Sequence, residues 1–267
     1  MTPRSAERAC YPSLARMTPE PLQAGANEAS FAPALPHAPI REIFPDVFVV
    51  RGSIGMAPLV TIPRNMIVLR EGRALTLVNS VRLTDAGEAE LSKLGEVKQL
   101  VKLGHFHTRD DPYYLARFRP IYWTPSPSGA LATDERLLEN GGARPLDRAR
   151  PFRFDRAKHG EAALIVEQPG GNLLITCDSV QHWESTEGCS FVGGLATRFL
   201  GLLAPAKLGP LWLKAMTGGN AALLWPDFER LLQQDFAHLI AGHGTVLRDR
   251  ARDLLAASSE RALGPRH

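Results

Sequence analysis

The chain has 267 residues, of which 44% are hydrophobic and 22% are charged, so it is long and apolar enough to bury a sizeable core. A net charge of +3, with no basic run that carries interleaved aromatic residues, argues against a nucleic-acid partner. Three widely spaced cysteines, no secretory signal and no apolar run of membrane-spanning length predict a cytoplasmic protein without a disulfide framework or a membrane partner.

The predicted elements divide the chain into a leader and one domain. Residues 1–39 are rich in proline and alanine and are predicted to be disordered or loosely packed, whereas residues 40–267 form the domain. Apolar runs bounded by turn residues predict strands at 43–50, 65–70, 74–79, 97–103, 121–123, 152–154, 162–166, 172–176 and 238–241. Helical spacing and capping residues predict helices at 83–94, 112–118, 226–235 and 249–263, and over parts of 191–216.

Two histidines follow the fourth of these strands. The apolar residues 100–103 end at Gly104, and His105 and His107 come next, separated by Phe106. If the chain stays extended past the glycine, the period of two places both imidazoles on one face, where they can share a metal ion. A lone His-x-His is common, however, and two polar loop residues are the simpler interpretation of this motif alone.

Two further strand ends carry residues that bind metals. Asp178 follows the hairpin strand 172–176, and His243 lies between two glycines directly after the strand 238–241. Flanking glycines let the backbone approach a site closely. An acid after a buried strand is more often a helix cap, but three strand ends that supply histidines and a carboxylate together favour a metal site.

This order of residues resembles the metallo-β-lactamase superfamily of hydrolases over residues 40–263. The local matches are Gly104-His105-Phe106-His107, Ile175-Thr176-Cys177-Asp178 and Leu239-Ile240-Ala241-Gly242-His243-Gly244. The resemblance implies an α+β fold, the four-layer αββα sandwich, with the site at the edge of its two sheets. It also implies that His105, His107, Asp178 and His243 are metal ligands.

The chain departs from the family pattern at several positions. Arg109 and Asp110 stand where the family has Asp-His, and arginine cannot ligate a metal, so one ion rather than two is expected. Asp110 is either an oxygen ligand, a salt-bridge partner or a helix cap. The family's third histidine corresponds to His159 or Glu161, and which of the two faces the site stays open. Asn79 replaces an acid that would support a ligand.

The resemblance implies one divalent ion, with zinc as the first choice and iron or manganese as alternatives. Such an ion activates water for attack on a small ester, thioester, lactone or phosphoester. Asp178 would accept a proton from the water, and His243 would ligate the metal or protonate the leaving group. The charge of Arg109 either holds an anionic group in place of a second metal, or pairs with a nearby carboxylate and closes the site.

Two alternatives of a different class remain. The first is an inactive member of the fold that binds a small molecule or a protein partner without turnover. The second is a scaffold protein, such as a homodimer, that uses residues 191–216 and in particular Leu211, Trp212 and Leu213 as its interface.

Overall fold

The computed structural model describes residues 31–129 and 131–265. Its strands are β1 (Arg41–Phe44), β2 (Val47–Ala57), β3 (Val60–Glu71), β4 (Ala74–Val78), β5 (Glu96–Val101), β6 (Ile121–Thr124), β7 (Glu135–Leu137), β8 (Ala149–Arg153), β9 (Ala162–Val166), β10 (Leu173–Ile175), β11 (Val180–Gln181), β12 (Lys207–Leu208) and β13 (His238–Ile240). Its helices are α1 (Asp85–Leu94), α2 (Asp111–Phe118), α3 (Phe191–Phe199), α4 (Pro210–Thr217), α5 (Trp225–Leu232) and α6 (Ala251–Leu263), with a 3₁₀ turn at Ala221–Leu224.

The larger sheet has the strand order β1-β2-β3-β4-β5-β6-β7, antiparallel from β1 to β4 and parallel from β4 to β7. The predicted β3–β4 hairpin is confirmed, and Gly72 in its turn has a positive φ of 58°. The prediction of a single strand over residues 43–50 is wrong. Pro45 and Asp46 form a tight turn that divides it into the antiparallel strands β1 and β2.

The smaller sheet has the order β13-β10-β9-β8 and packs face to face on the larger one. The core between the sheets takes buried side chains from both, among them Val101, Leu164 and Ile240. A second core lies under α1 and α2 on the outside of the larger sheet, and a third lies under α4, α5 and α6 on the outside of the smaller sheet. Helix, sheet, sheet and helix layers form the predicted α+β sandwich.

The first helix shows why these predictions succeed. Thr84 caps α1 by accepting a hydrogen bond from the Gly87 N–H through its side chain, and Gly95 donates its N–H to Leu91 O at the other end. Both signals are local, because a cap satisfies backbone groups within one turn of the helix. The β9–β10 hairpin, turned at 169–171, is also confirmed.

Residues 191–216 form two helices with different environments. Trp212 on α4 is 1% exposed and packs edge-on against Phe154 and Phe228 in the outer core, so it is not available as the predicted interface residue. Phe191 and Phe199 on α3, in contrast, are almost fully exposed.

Most of the predicted leader, residues 1–30 with Cys10, lies outside the described residues. Residues 31–39 run along the domain: Phe31 packs on Tyr113 at 5.7 Å between ring centroids, and Ala38 donates its N–H to Arg51 O at 2.8 Å. Cys177 and Cys189 are free thiols. Across the residues that the structure describes, no helix has the length and apolar character needed to cross a membrane.

Candidate metal centre

Three predicted ligands converge at one end of the sandwich. Nε2 of His107 lies 3.1 Å from Nε2 of His243, and the two carboxylate oxygens of Asp178 lie 3.5 Å from His107 Nε2 and 3.4 Å from His243 Nε2. The ligand atoms of this cluster are all within 4.8 Å of one another. The site therefore combines two imidazoles and one carboxylate from three separate chain segments.

The first segment turns sharply after β5. Gly104 accepts the N–H of His107 through its carbonyl oxygen in this turn, so His107 is buried while His105 is exposed. The chain does not stay extended past Gly104, so the condition under which both imidazoles would share one face is not met. Glycine is needed here, because a Cβ at 104 would lie 2.5 Å from Cys177 Sγ and 3.0 Å from Glu161 Oε2.

The turn after β13 holds His243. Asn65, buried in β3, donates its side-chain amide to Ala241 O at 2.9 Å and to Gly244 O at 3.1 Å. His243 Nδ1 donates to Pro63 O at 2.8 Å, which leaves Nε2 free to face the cluster. A Cβ at Gly242 would lie 3.1 Å from the His107 ring, so the predicted close approach of this backbone is confirmed.

The cluster contains a neutral His107 imidazole and an ionised Asp178 carboxylate at neutral pH. Burial lowers the pKa of His107 to about 4, so its imidazole is neutral and has a lone pair for a metal. Burial by itself raises the pKa of Asp178, but the adjacent His107 and His243 outweigh it and bring the value to about 2. A carboxylate between two imidazoles is a donor set that divalent zinc, iron or manganese accepts, so the residues fit one such ion.

His107 is less constrained than His243. Its Nδ1 is buried and has no hydrogen-bond partner within the described part of the chain. The orientation of this ring is therefore set by packing against Gly242 and by the cluster itself, rather than by a hydrogen bond from behind.

The structure does not bring His105 and His159 into the cluster. The two rings stack on each other, with centroids 4.4 Å apart and planes 17° apart, at the surface beside it. Partial burial and the neighbouring His159 lower the pKa of His105.

Glu161, the other alternative for the third ligand, is fully buried behind Asp178. One of its oxygens accepts the Ser179 N–H at 3.1 Å, and the other has no hydrogen-bond partner among the described residues. Burial and the neighbouring Asp178 raise the pKa of Glu161 well above its usual range. Its contact with Ser179 positions the loop that carries Asp178, and it is not part of the cluster.

Asp110, predicted as an oxygen ligand, a salt-bridge partner or a helix cap, is an ion-pair residue. Its carboxylate is fully buried, pairs with Arg64 and Arg109 and accepts the Arg82 N–H at 2.9 Å. It precedes α2 without a side-chain capping bond. Arg109 therefore makes the predicted pair with a neighbouring carboxylate, and it also donates to Pro33 O at 2.8 Å.

Sequence reasoning missed Arg64, which is 2% exposed and lies beneath Arg109. Burial and the charge of Arg109 lower its pKa to about 10. Two arginines thus share the carboxylate of Asp110, and the buried Asp111 is a second acid close to Arg64. The polar pair Arg64-Asn65 inside the otherwise apolar β3 was the available signal.

Asn79, which replaces an acid of the family pattern, joins the two sheets. It donates to Thr176 O at 3.0 Å and accepts the Leu103 N–H at 3.4 Å, so it links the chain just before His107 to the chain just before Asp178. Its φ of 55° is one that asparagine tolerates better than most residues.

Solved structures share this architecture, although no protein-family model and no curated protein matches the sequence. The mono-zinc form of the metallo-β-lactamase FIM-1 from Pseudomonas aeruginosa aligns with a TM-score of 0.55 and 16% identity over 87% of this chain and 98% of its own. A metallo-β-lactamase from Erythrobacter litoralis aligns with a TM-score of 0.56 and 13% identity over 88% of this chain and 97% of its own. A variant of the flavo di-iron protein from Thermotoga maritima aligns with a TM-score of 0.58 and 16% identity over 85% of this chain and 63% of its own.

Identities this low establish the fold and leave the activity open. The chain has the metallo-β-lactamase fold.

Proposed function

We propose that this protein is a metal-dependent hydrolase that holds one divalent ion, with zinc as the first choice, through His107, Asp178 and His243. Its substrate would be a small ester, thioester, lactone or phosphoester. The observation that carries the proposal is the convergence of two imidazoles and an ionised carboxylate within 4.8 Å. The similar FIM-1 structure is a mono-zinc form, which is consistent with a single ion.

When bound, a divalent ion supplies a hydroxide nucleophile at neutral pH and polarises the group under attack. The chain's own residues supply orientation and proton transfer. Asp178 can accept a proton, because the adjacent His107 and His243 outweigh the effect of burial, bring its pKa to about 2 and so keep it ionised at neutral pH. Pro63 O fixes the tautomer of His243, so that its Nε2 is directed at the cluster throughout.

Arg109 is proposed to favour anionic substrates. A quarter of the Arg109 side chain reaches solvent, so its guanidinium can approach an anion other than Asp110. A fixed cation in this position stabilises an anionic group of a substrate or a developing oxyanion. Replacement of Arg109 by glutamine would then raise KM for a carboxylate-bearing ester more than for its neutral analogue.

Metal content separates this proposal from a metal-free binding protein. Protein purified without chelator should contain about one equivalent of metal, and it should lose that metal in the His107→Ala and His243→Ala variants. His105→Ala should keep the metal, because that side chain lies outside the cluster, and His37→Ala serves as a control at a histidine that bonds Thr84 instead. Wild-type protein without metal would contradict the proposal.

A substrate screen then tests turnover. Esters, thioesters, lactones and phosphodiesters are compared with the wild type and with His243→Ala, and hydrolysis that depends on the metal supports the hydrolase. Stoichiometric metal with no turnover on any class would instead favour the alternative of a catalytically inactive protein that binds a small molecule or a partner. The expected cytoplasmic location and the homodimer both stay predictions.

A further inference from the structure

The chain that follows Asp178 turns back toward the metal centre. Strand β11 begins two residues later, and an isolated bridge at His182 continues the extended conformation. Because side chains alternate along an extended chain, Gln181 and Trp183 lie on the same side of it. Both are buried, with exposed fractions of 8% and 2%. Buried polar groups need hydrogen-bond partners, so the partners of this amide and this indole indicate what the segment does.

The Gln181 side chain joins Trp183 to Asp178. Its Oε1 accepts the Trp183 indole N–H at 2.9 Å, and its Nε2 donates to Asp178 Oδ1 at 3.5 Å. An indole can only donate and an ionised carboxylate can only accept, so one orientation of the amide satisfies both neighbours. The reversed amide would place its NH₂ group against the indole N–H and its oxygen against the carboxylate. The chemistry of the two neighbours therefore directs an N–H of Gln181 at Asp178.

The oxygen that Gln181 contacts is the one that faces His243. Asp178 Oδ1 lies 3.4 Å from His243 Nε2, whereas Oδ2 lies 3.5 Å from His107 Nε2, so a rotation of the carboxylate would change both distances at once. Among the described residues, the other donor to this carboxylate from outside the cluster is the Cys177 thiol, 3.7 Å from Oδ2. A thiol is a weak donor, so the amide is the stronger restraint on the rotation of the carboxylate.

The same segment is also attached to the turn that carries His243. His182 O accepts the Thr245 N–H at 2.6 Å. The Trp183 ring lies parallel to the His243 ring, with planes 8° apart and centroids 6.4 Å apart. Residues 181–183 therefore contact both the carboxylate of the cluster and the turn that holds one of its imidazoles, and they link the positions of the two.

We propose that Gln181 is a positioning residue of the metal centre, which holds the Asp178 carboxylate between His107 and His243. Trp183 in turn holds the Gln181 amide in the orientation that this requires. The inference rests on the metal centre of the proposed function, and Gln181 acts on the ion through Asp178 alone. Removal of a group that orients a metal ligand from outside typically lowers metal affinity by roughly 10–100-fold.

The zinc affinity of the full-length protein, measured by competition with a chromophoric chelator, tests the proposal. Gln181→Met keeps the length of the side chain and removes both hydrogen bonds, and it should weaken zinc binding at least roughly tenfold. Trp183→Phe removes only the indole N–H, so the amide can still donate but is free to reverse, and the expected loss is roughly threefold. A crystal structure of metal-free Gln181→Met should show the Asp178 carboxylate rotated away from His243.

Gln99 provides a matched control. It accepts the Trp123 indole N–H through Oε1 at 2.6 Å and donates its amide to Pro145 O, so it makes the same pair of hydrogen bonds without a contact to the cluster. Gln99→Met should lower the Tm to a similar extent as Gln181→Met and leave zinc affinity unchanged. The comparison separates the positioning of a ligand from the general stability that a glutamine–tryptophan contact supplies.

Three results would overturn the proposal: wild-type zinc affinity in Gln181→Met, an equal loss of affinity in Gln99→Met, or an Asp178 carboxylate that keeps its place in the Gln181→Met crystal structure. If Gln181→Met does not fold, Trp183→Phe decides, and unchanged zinc affinity in that variant overturns the proposal. A wild type that binds no zinc refutes the proposed function itself. A wild type that binds zinc with an affinity that neither variant lowers refutes only the positioning role.

Discussion

Arg64→Met tests whether the buried ion pair behind the metal centre holds this part of the fold together. The Arg64 and Asp110 side chains are 2% and 0% exposed, so the substitution leaves a buried carboxylate with one fewer positive charge beside it. Removing one partner of a buried pair costs roughly 3–5 kcal/mol. Because Arg109 still neutralises Asp110 in part, we expect the lower end, about 3 kcal/mol, which corresponds to a Tm lower by roughly 6–12 °C in a chain of this size.

A thermodynamic cycle separates the pair from the loss of side-chain packing. Urea unfolding of Arg64→Met, Asp110→Asn and the double variant should show that the double variant is less destabilised than the sum of the single variants, by about 2 kcal/mol or more. The matched control is Arg70→Met, since Arg70 pairs with Asp46 at the surface and should cost no more than about 1 kcal/mol. If Arg64→Met costs as little as this control, the reasoning is wrong.

Three further predictions concern the residues around the cluster. Gly104→Ala should destabilise the protein by roughly 1–3 kcal/mol in urea unfolding, because its Cβ meets Cys177, whereas Gly55→Ala, whose Cβ would meet nothing within 4 Å, is the control. Asn65→Ala should lower metal affinity at least roughly tenfold in a chelator competition, because the turn that carries His243 loses two hydrogen bonds. In metal-free protein, the stability of the wild type relative to His107→Gln should fall from pH 6.5 to about 4, since the unfolded imidazole binds a proton there and the buried one does not.

Each of these has an outcome that would contradict it. Gly104→Ala with wild-type stability would mean that the turn after β5 relaxes without cost. Unchanged affinity in Asn65→Ala would mean that packing alone orients His243. A pH-independent difference between the wild type and His107→Gln would mean that the histidine is protonated as easily in the folded state as in the unfolded chain.

The local elements followed from the residues themselves. Thr84 and Gly95 delimit α1, Gly72 turns the β3–β4 hairpin, and the apolar runs that became β9 and β10 flank their glycine turn. Such signals act within a few residues, because caps and turns satisfy neighbouring backbone groups. The order of histidines and acid at successive strand ends was likewise readable, and it led to the fold that the structure shows.

The composition of the cluster depended on tertiary structure. The sequence does not reveal that position 104 must lack a Cβ, since the side chains that leave no room for one, Cys177 and Glu161, lie more than 50 residues away. For the same reason it could not separate His107, which faces Asp178 and His243, from His105, which stacks on His159.

Arg64 shows most clearly the difference between what the sequence signals locally and what the tertiary structure decides. Its place inside an apolar strand signals an unusual residue, but nothing local identifies Asp110 as its partner 46 positions later. A buried charge is tolerated only where the fold brings its counter-charge, so long-range packing decides the pair. The residue types and their order along the strands were therefore fixed in the sequence, whereas their grouping in space required the packing of the two sheets.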